Sequence, residues 1–350
     1  ESLRGSGTHH QLRQRVLRDV SSIDTSTELF GTQMSIPVGL APVGLAGMYA
    51  RRGELQAMRA AENAGIPFAL STVGVCSLEE VDSEATKPFW FQLYMIRDRD
   101  FMRDMLAQAR AAKCSALIFT LDMPVPGTRY RDYRSGLAGE SFLSGNIRRI
   151  AQSIVRPYWA WNVGLCGRPH QLGNIATVLG SDSGLEDFMA WMQNNFDPSV
   201  SWKDLNFVRE NWDGPLILKG ILDKDDAIKA ASIGVDGIIV SNHGGRQLDG
   251  VPSTVKALPS IADAVGDRVD LLVDGGISSG LDVVKMLALG AKSVLIGRSW
   301  VYALAARGQL GVEHVLELLD KEMRVAMALT GCRNISDISQ DILNRDENCY

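Results

Sequence analysis

The chain has no block of basic residues, no CxxC pair, no apolar run of membrane-span length and no secretory leader, and each absence removes a class of function. Lys and Arg number 36 against 41 Asp and Glu, a formal charge of −5 with no basic stripe. Nucleic acid is therefore not an expected partner. The five cysteines, at 76, 114, 166, 332 and 349, are odd in number and scattered, which argues for reduced cytoplasmic thiols rather than a disulfide frame or a zinc site. Lacking a stretch of roughly 18 apolar residues, the chain is expected to be soluble or at most peripheral to a membrane. No GxGxxG follows the first β-rich run, so an open doubly wound sheet takes second place among folds. The opening Gly5-Ser-Gly-Thr-His-His10 reads as a linker-like junction, and His9 and His10 are set aside as site candidates.

What the sequence does contain is enough apolar material, 45% over 350 residues, for a large core. Short β-rich runs alternate with amphipathic helical stretches, the pattern of repeated βα units. Strands are expected at Ile36–Pro42, Ile66–Ser71, Phe89–Tyr94, Ala116–Asp122, Pro215–Lys219, Val235–Ser241, Asp270–Gly275 and Ser293–Gly297. Most are near-continuously apolar, as strands buried on both faces are. Helices are expected at Gly53–Ala64, Asp98–Lys113, Lys224–Ile233 and Gly280–Leu289, several stopping at a glycine (Gly65, Gly234, Gly290). The expectation is one α/β domain over 1–350, a (β/α)8 TIM barrel. Residues 123–200 break the rhythm and carry Pro124, Pro126, Gly127, Tyr158, Trp159, Trp161, Trp191 and Phe196. This long insertion after the fourth strand is expected to be a partly mobile lid over the mouth that meets the electron acceptor or a membrane.

Barrel chemistry gathers at the C-terminal ends of the strands. Nearly every run ends there in a polar residue or glycine: Pro42-Val43-Gly44, Ser71, Gln92 and Tyr94, Thr120 and Asp122, Lys219, Ser241 and His243, Asp274 with Gly276, and Gly297-Arg298. The stretch "SNHGGRQLDG" (241–250) joins a titratable base to a guanidinium through two glycines, which a plain turn does not need. An imidazole is the side chain whose ordinary titration lies nearest neutral pH. The loops "DGGISSG" and "IGRS", after the last two strands, have the glycines that let backbone amides approach a phosphate.

Taken together, "APVG" (41–44), "LST" (70–72), "FQLY" (91–94), "TLDMP" (120–124), "LKGIL" (218–222), "SNHGGRQLDG", "DGGI" (274–277) and "IGR" (296–298) resemble the FMN-dependent L-2-hydroxy acid oxidising family. The resemblance runs in order from about residue 11 to 340. "APVGLAGMYARRGE", "WAWNVGL" and "NNFDPSVSWKDL" are most similar to its quinone-linked respiratory branch. It implies FMN as cofactor, oxidation of an L-2-hydroxy acid (L-lactate to pyruvate favoured), a quinone-type acceptor, a homo-oligomer (tetramer) and possible peripheral contact with the inner face of the cytoplasmic membrane.

By the same resemblance His243 is the base, Asp122 stabilises its protonated form, and Arg129 and Arg246 clamp the substrate carboxylate. Tyr94 hydrogen-bonds the substrate, and Lys219 lies by the N1/O2 edge of the flavin. Pro42, Val43, Gly44, Ser71, Gln92 and Thr120 hold its ring and Ser241 assists. Asp274 takes the ribityl chain, and Gly276, Gly297 and Arg298 the phosphate; no metal is implied. Three departures stand out. Members generally carry an active-site tyrosine in an N-terminal segment, and this sequence begins after it. Val73 stands where glycolate oxidase has tryptophan, and Ser278 where an arginine often meets the phosphate. Other readings are an oxidase that uses oxygen on lactate, glycolate or mandelate, a Schiff-base aldolase-type barrel built on Lys219, and a non-catalytic relative.

Overall fold

The computed structural model describes residues 10–128, 130, 150–168, 172–176, 191 and 194–344. In chain order the strands are β1 (Gln11–Leu12), β2 (Thr27–Leu29), β3 (Thr32–Met34), β4 (Val38–Leu40), β5 (Ala69–Ser71), β6 (Trp90–Tyr94), β7 (Ala116–Thr120), β8 (Leu216–Ile221), β9 (Gly237–Val240), β10 (Asp270–Val273), β11 (Ser293–Ile296) and β12 (Leu343–Asn344). β4 to β11 form one eight-stranded parallel sheet in the order β4-β11-β10-β9-β8-β7-β6-β5. A parallel bridge between Leu40 and Phe68 brings its two edges together, with the Leu40 N–H donating to Pro67 O at 2.9 Å. Helices cover the outside. The result is the (β/α)8 barrel expected from the alternation of runs.

Each expected strand lies within a few residues of an observed one, and the helix Gly53–Ala64 has the expected bounds. Its end is set by Gly65, whose φ of 67° lets the backbone turn back and its N–H reach Ala61 O and Glu62 O. The stretch Arg298–Thr330 consists of two helices that meet at Arg307 and Gly308, whose backbone angles are not helical.

The near-continuous apolarity of the strands resolves into two cores with period two. Ala69, Trp90, Ile118, Ile217, Ile239, Leu272 and Leu295 fill the barrel interior, while Leu70, Phe91, Leu117, Leu218, Ile238 and Val273 pack in the larger outer cluster. At the N-terminal end the β2–β3 hairpin stops the interior. Leu29 and Met34 join the inner cluster, and Phe30 meets Trp90 edge-on with ring centroids 6.0 Å apart. The polar layer follows from parity. Two residues beyond the inner apolar layer come Ser71, Gln92, Thr120, Lys219, Ser241 and Asp274, all of them buried.

Much of the insertion, 129 and 131–149 included, lies outside the described residues. Its described parts are pinned to the barrel rim. The Trp159 indole N–H donates to Met48 O at 2.8 Å. Asn174, buried, accepts from Leu78 N at 2.7 Å and donates to Ser71 O (3.4 Å) and Thr72 O (3.3 Å). Farther on, Arg99 pairs with Asp197 (2.8 Å) and Asp204 (3.2 Å), and Ile96 bridges Phe196. The loop after β5 is thus held from both sides, because the Glu54 carboxylate accepts Val75 N at 2.8 Å from beneath. Burial raises that carboxyl above 4.5. Replacing Asn174 by Ala strands the Leu78 amide in a buried place. It should cost about 1–3 kcal/mol, read as a lower urea midpoint with an unchanged slope.

Candidate active site

At the C-terminal rim the polar layer forms three connected groups. Across β5, β6 and β7 the Ser71 hydroxyl donates to Gln92 Oε1 (3.0 Å), and Gln92 Nε2 donates to Thr120 Oγ1 (3.0 Å). Beside them Lys219 Nζ donates to Ser241 Oγ at 2.9 Å and pairs with Asp274 at 3.0 Å. The third group is His243 with Asp122, Nδ1 to Oδ1 at 2.9 Å.

Lys219 is only 4% exposed. Burial by itself would lower its pKa, but the charges of Asp274 and Asp122 and the hydrogen bond to Asp274 more than offset that and hold it above 10.5. A lysine kept protonated in this way is not a Schiff-base nucleophile, which counts against the aldolase reading. Asp122 shows the complementary balance. Burial pushes its carboxyl up, yet the hydrogen bond from His243 and the charges of Lys219 and His243 hold it below 3.8. A carboxylate only accepts, so the proton between the pair sits on Nδ1 and leaves Nε2 as the basic nitrogen.

The backbone bends to make this possible. His243, Gly244 and Gly245 have φ values of 54°, 66° and 71°, three left-handed residues in a row. Two of them are the glycines expected to turn the chain, while His243 itself carries strain of a kind that gathers at functional sites. Ser241 Oγ also accepts the His243 N–H at 3.0 Å, tying the base to the lysine group. On β8, Gly220 (φ 104°) sits at the bulge where pairing with β9 shifts register. A Cβ there would lie 2.6 Å from Asp122 Cβ and Cγ, so a glycine is what lets the carboxylate settle behind the histidine.

Tyr94 packs its ring against Phe196 at 5.3 Å between centroids. Gly44, behind Pro42 and Val43, faces Val73, whose Cγ2 would be 2.6 Å from any Cβ added there. Gly276 (φ 85°) lies in the loop after β10, while Gly297 and Arg298 open the stretch Arg298–Thr330. The exposed Arg298 guanidinium reaches toward the HGGR turn, with Nη2 3.6 Å from where a Gly244 Cβ would be. Ser278, which stands in place of the expected arginine, donates its N–H and hydroxyl to Asp282 beside the helix cap Ser279. Arg246 is exposed beside the turn. Arg129 lies outside the described residues. Sequence patterns did not single out Gly220, Asn174, Asn242 or Gln247. The run "GRQLDG" contained Gln247, but no spacing rule marked it.

These residues suit a cofactor with a polar ring edge at one end and a phosphate at the other. The buried Lys219 cation could meet the ring end, and glycine amides, Arg298 and a helix N-terminus could meet the phosphate end. Between them Asp274 Oδ1 and Asn242 Oδ1 are buried with no hydrogen-bond partner among the described residues, two acceptors left over for hydroxyls.

Such a rim defines a flavin-type barrel oxidoreductase. The chain belongs to the FMN-dependent dehydrogenase family, whose pattern matches residues 5–345. It is 62% identical over 336 residues to an L-lactate dehydrogenase of Caulobacter sp. (strain K31), covering 96% of this chain and 88% of that one. To the L-lactate dehydrogenase of Ectopseudomonas mendocina (strain ymp) it is 59% identical, with the same coverage. Among solved structures, the monotopic membrane protein (S)-mandelate dehydrogenase superposes with a TM-score of 0.90 at 35% identity, covering 98% of this chain and 90% of that one. A mandelate oxidase with (S)-4-hydroxymandelic acid gives 0.81 at 36%, covering 96% and 87%.

Because the folded-state pKa of Asp122 is depressed, the stability it lends is present above 3.8 and is lost as pH falls through the lower folded value. Asp122→Asn should therefore flatten the fall in urea midpoint on acidification from about pH 5 to pH 2. A slope equal to the parent's would show that the pair does not form.

Proposed function

We propose that this chain oxidises L-lactate to pyruvate with FMN and hands the electrons to a quinone-type acceptor at a membrane surface. The observation that carries the reading is the His243–Asp122 pair at 2.9 Å, set beside the buried Lys219 cation in one rim. The identity to L-lactate dehydrogenases supports the choice of substrate. Lys219, Ser71, Gln92, Thr120 and the Pro42–Gly44 backbone would hold the flavin ring, Ser241 assisting; Asp274 would take the ribityl chain and Gly276, Gly297 and Arg298 the phosphate. When bound, FMN supplies the two-electron acceptance that the oxidation requires.

The protein's own part is binding and proton handling. Arg246, with Arg129, offers the planar fork that matches a carboxylate, and Tyr94 a hydroxyl donor. His243 Nε2 takes a proton from the bound hydroxy acid. The imidazolium so formed is stabilised by Asp122, already ionised and already bonded to Nδ1.

For the acceptor, the support lies in the insertion. Ile150, Ile154, Tyr158, Trp161 and Leu165, on helical segments that meet at non-helical Arg156, are all more than half exposed, with Arg168 nearby. Exposed apolar and aromatic side chains beside cationic ones suit a headgroup boundary, and no described helix is long and apolar enough to cross a membrane. Residues 123–200 are read as the acceptor and membrane region of a single barrel domain 1–350, in a homo-tetramer.

His243→Ala should keep FMN but lose about 10² to 10⁴ in turnover, the usual contribution of a positioned base. Flavin bleaching by L-lactate in a single turnover measures it, and bleaching at the parent rate would make the histidine structural. Arg246→Lys should raise the KM for L-lactate, since an ammonium lacks the fork. For the membrane surface, Ile154→Glu with Trp161→Glu should abolish co-sedimentation with anionic vesicles and leave reduction of a soluble acceptor intact. Unchanged sedimentation would refute that part.

A further inference from the structure

We propose that Gln247 is the positioning residue that holds the two halves of the substrate site in register. The proposal rests on the reading of Asp122, His243 and Arg246 given above. One half is the loop 122–127, which starts at the carboxylate behind the base. The other is the turn 243–247, which carries the base and the guanidinium. The Gln247 side chain joins them with both of its N–H donors and its amide oxygen. Nε2 donates to Asp122 O at 2.8 Å and to Val125 O at 3.1 Å, while Oε1 accepts the Gly127 N–H at 3.1 Å. Among the described residues, the only other hydrogen bond between the two loops is His243 to Asp122.

The approach is close enough to exclude side chains. A Cβ on Gly127 would lie 2.5 Å from Arg246 O and 2.8 Å from Gln247 Oε1. The loop 122–127 therefore lies with its backbone directly against the backbone that carries Arg246. An amide is the side chain that can meet two carbonyls and one N–H at once. A glutamate at this place would keep the bond from Gly127 and set a carboxylate against two carbonyl oxygens.

Gln247 acts through Asp122 and Arg246 rather than on the substrate. Its bond to Asp122 O fixes the main chain of the residue whose carboxylate orients the imidazole. Without it, the main chain at Asp122 is free to shift against the turn 243–247, and the imidazole that its carboxylate holds is drawn out of line with Arg246 on that turn. Base and clamp then no longer address one bound molecule at the same time, and a misplacement of about 1 Å costs up to roughly 10² in rate.

The test uses the full chain loaded with FMN and three variants, Gln247→Ala, Gln247→Glu and Gly127→Ala. Turnover of L-lactate is measured alongside calorimetric binding of oxalate, a dicarboxylate that is not oxidised, with FMN content and the thermal midpoint as controls. Gln247→Ala is expected to lower kcat about tenfold and weaken oxalate binding about tenfold, at near-parental FMN content. Gln247→Glu should fall at least as far, and Gly127→Ala, whose Cβ would press on Arg246 O and on Gln247 and force the loops apart, should reproduce both losses. Parental kcat and oxalate affinity in Gln247→Ala overturn the proposal, as does a loss that only tracks the unfolded fraction. If Gln247→Ala does not fold, Gly127→Ala decides by the same criteria. A parent that neither turns over L-lactate nor binds oxalate overturns the functional reading and this proposal with it. A parent that does both while the variants match it overturns this proposal alone.

Discussion

The rim is organised around one buried charge. An ammonium taken out of water is costly unless it is paired and hydrogen-bonded, and Lys219 is almost wholly enclosed by the barrel. Asp274 on the next strand but one, Ser241 between them and the field of Asp122 meet that demand together. Each partner then does a second task. Ser241 also receives the His243 amide, Asp122 also receives the imidazole, and Asp274 keeps one oxygen unbonded. A change at any of them leaves a buried charge short of compensation, so stability and chemistry are coupled at this layer.

The apolar layer beneath explains why such a charge can be held so firmly. Inner residues such as Trp90, Ile118, Ile217 and Leu272 exclude water from below, and the strand period sets the polar residues two positions higher on the same inward face. Parity is also why so much was legible in the sequence. Once β-rich runs ending in polar residues alternate with helical stretches, both the barrel and the rim residues follow from period and order. Gly65 and Gly290 marked helix ends by a local conformational rule that tertiary packing did not override.

What was not legible depends on chain segments far apart in sequence. Nothing local to Gly220 tells that Asp122 will lie against it, and nothing local to Gln247 tells that its amide will bridge 120 residues to Val125 and Gly127. Asn174, inside an insertion without clear period, is buried because it answers backbone groups about a hundred residues earlier. Residues of this kind have no periodic signature, since their role is to satisfy whatever the fold brings near them.

The hairpin plug has a kinetic meaning. With Phe30 against Trp90 and Leu29 and Met34 at the floor, the packed interior is closed from below, which leaves the C-terminal rim as the side from which the polar layer is reached. Hydroxy acid, keto product and electron acceptor would then share a single doorway. Molecules that need the same doorway are served in turn, so occupancy by one delays the next.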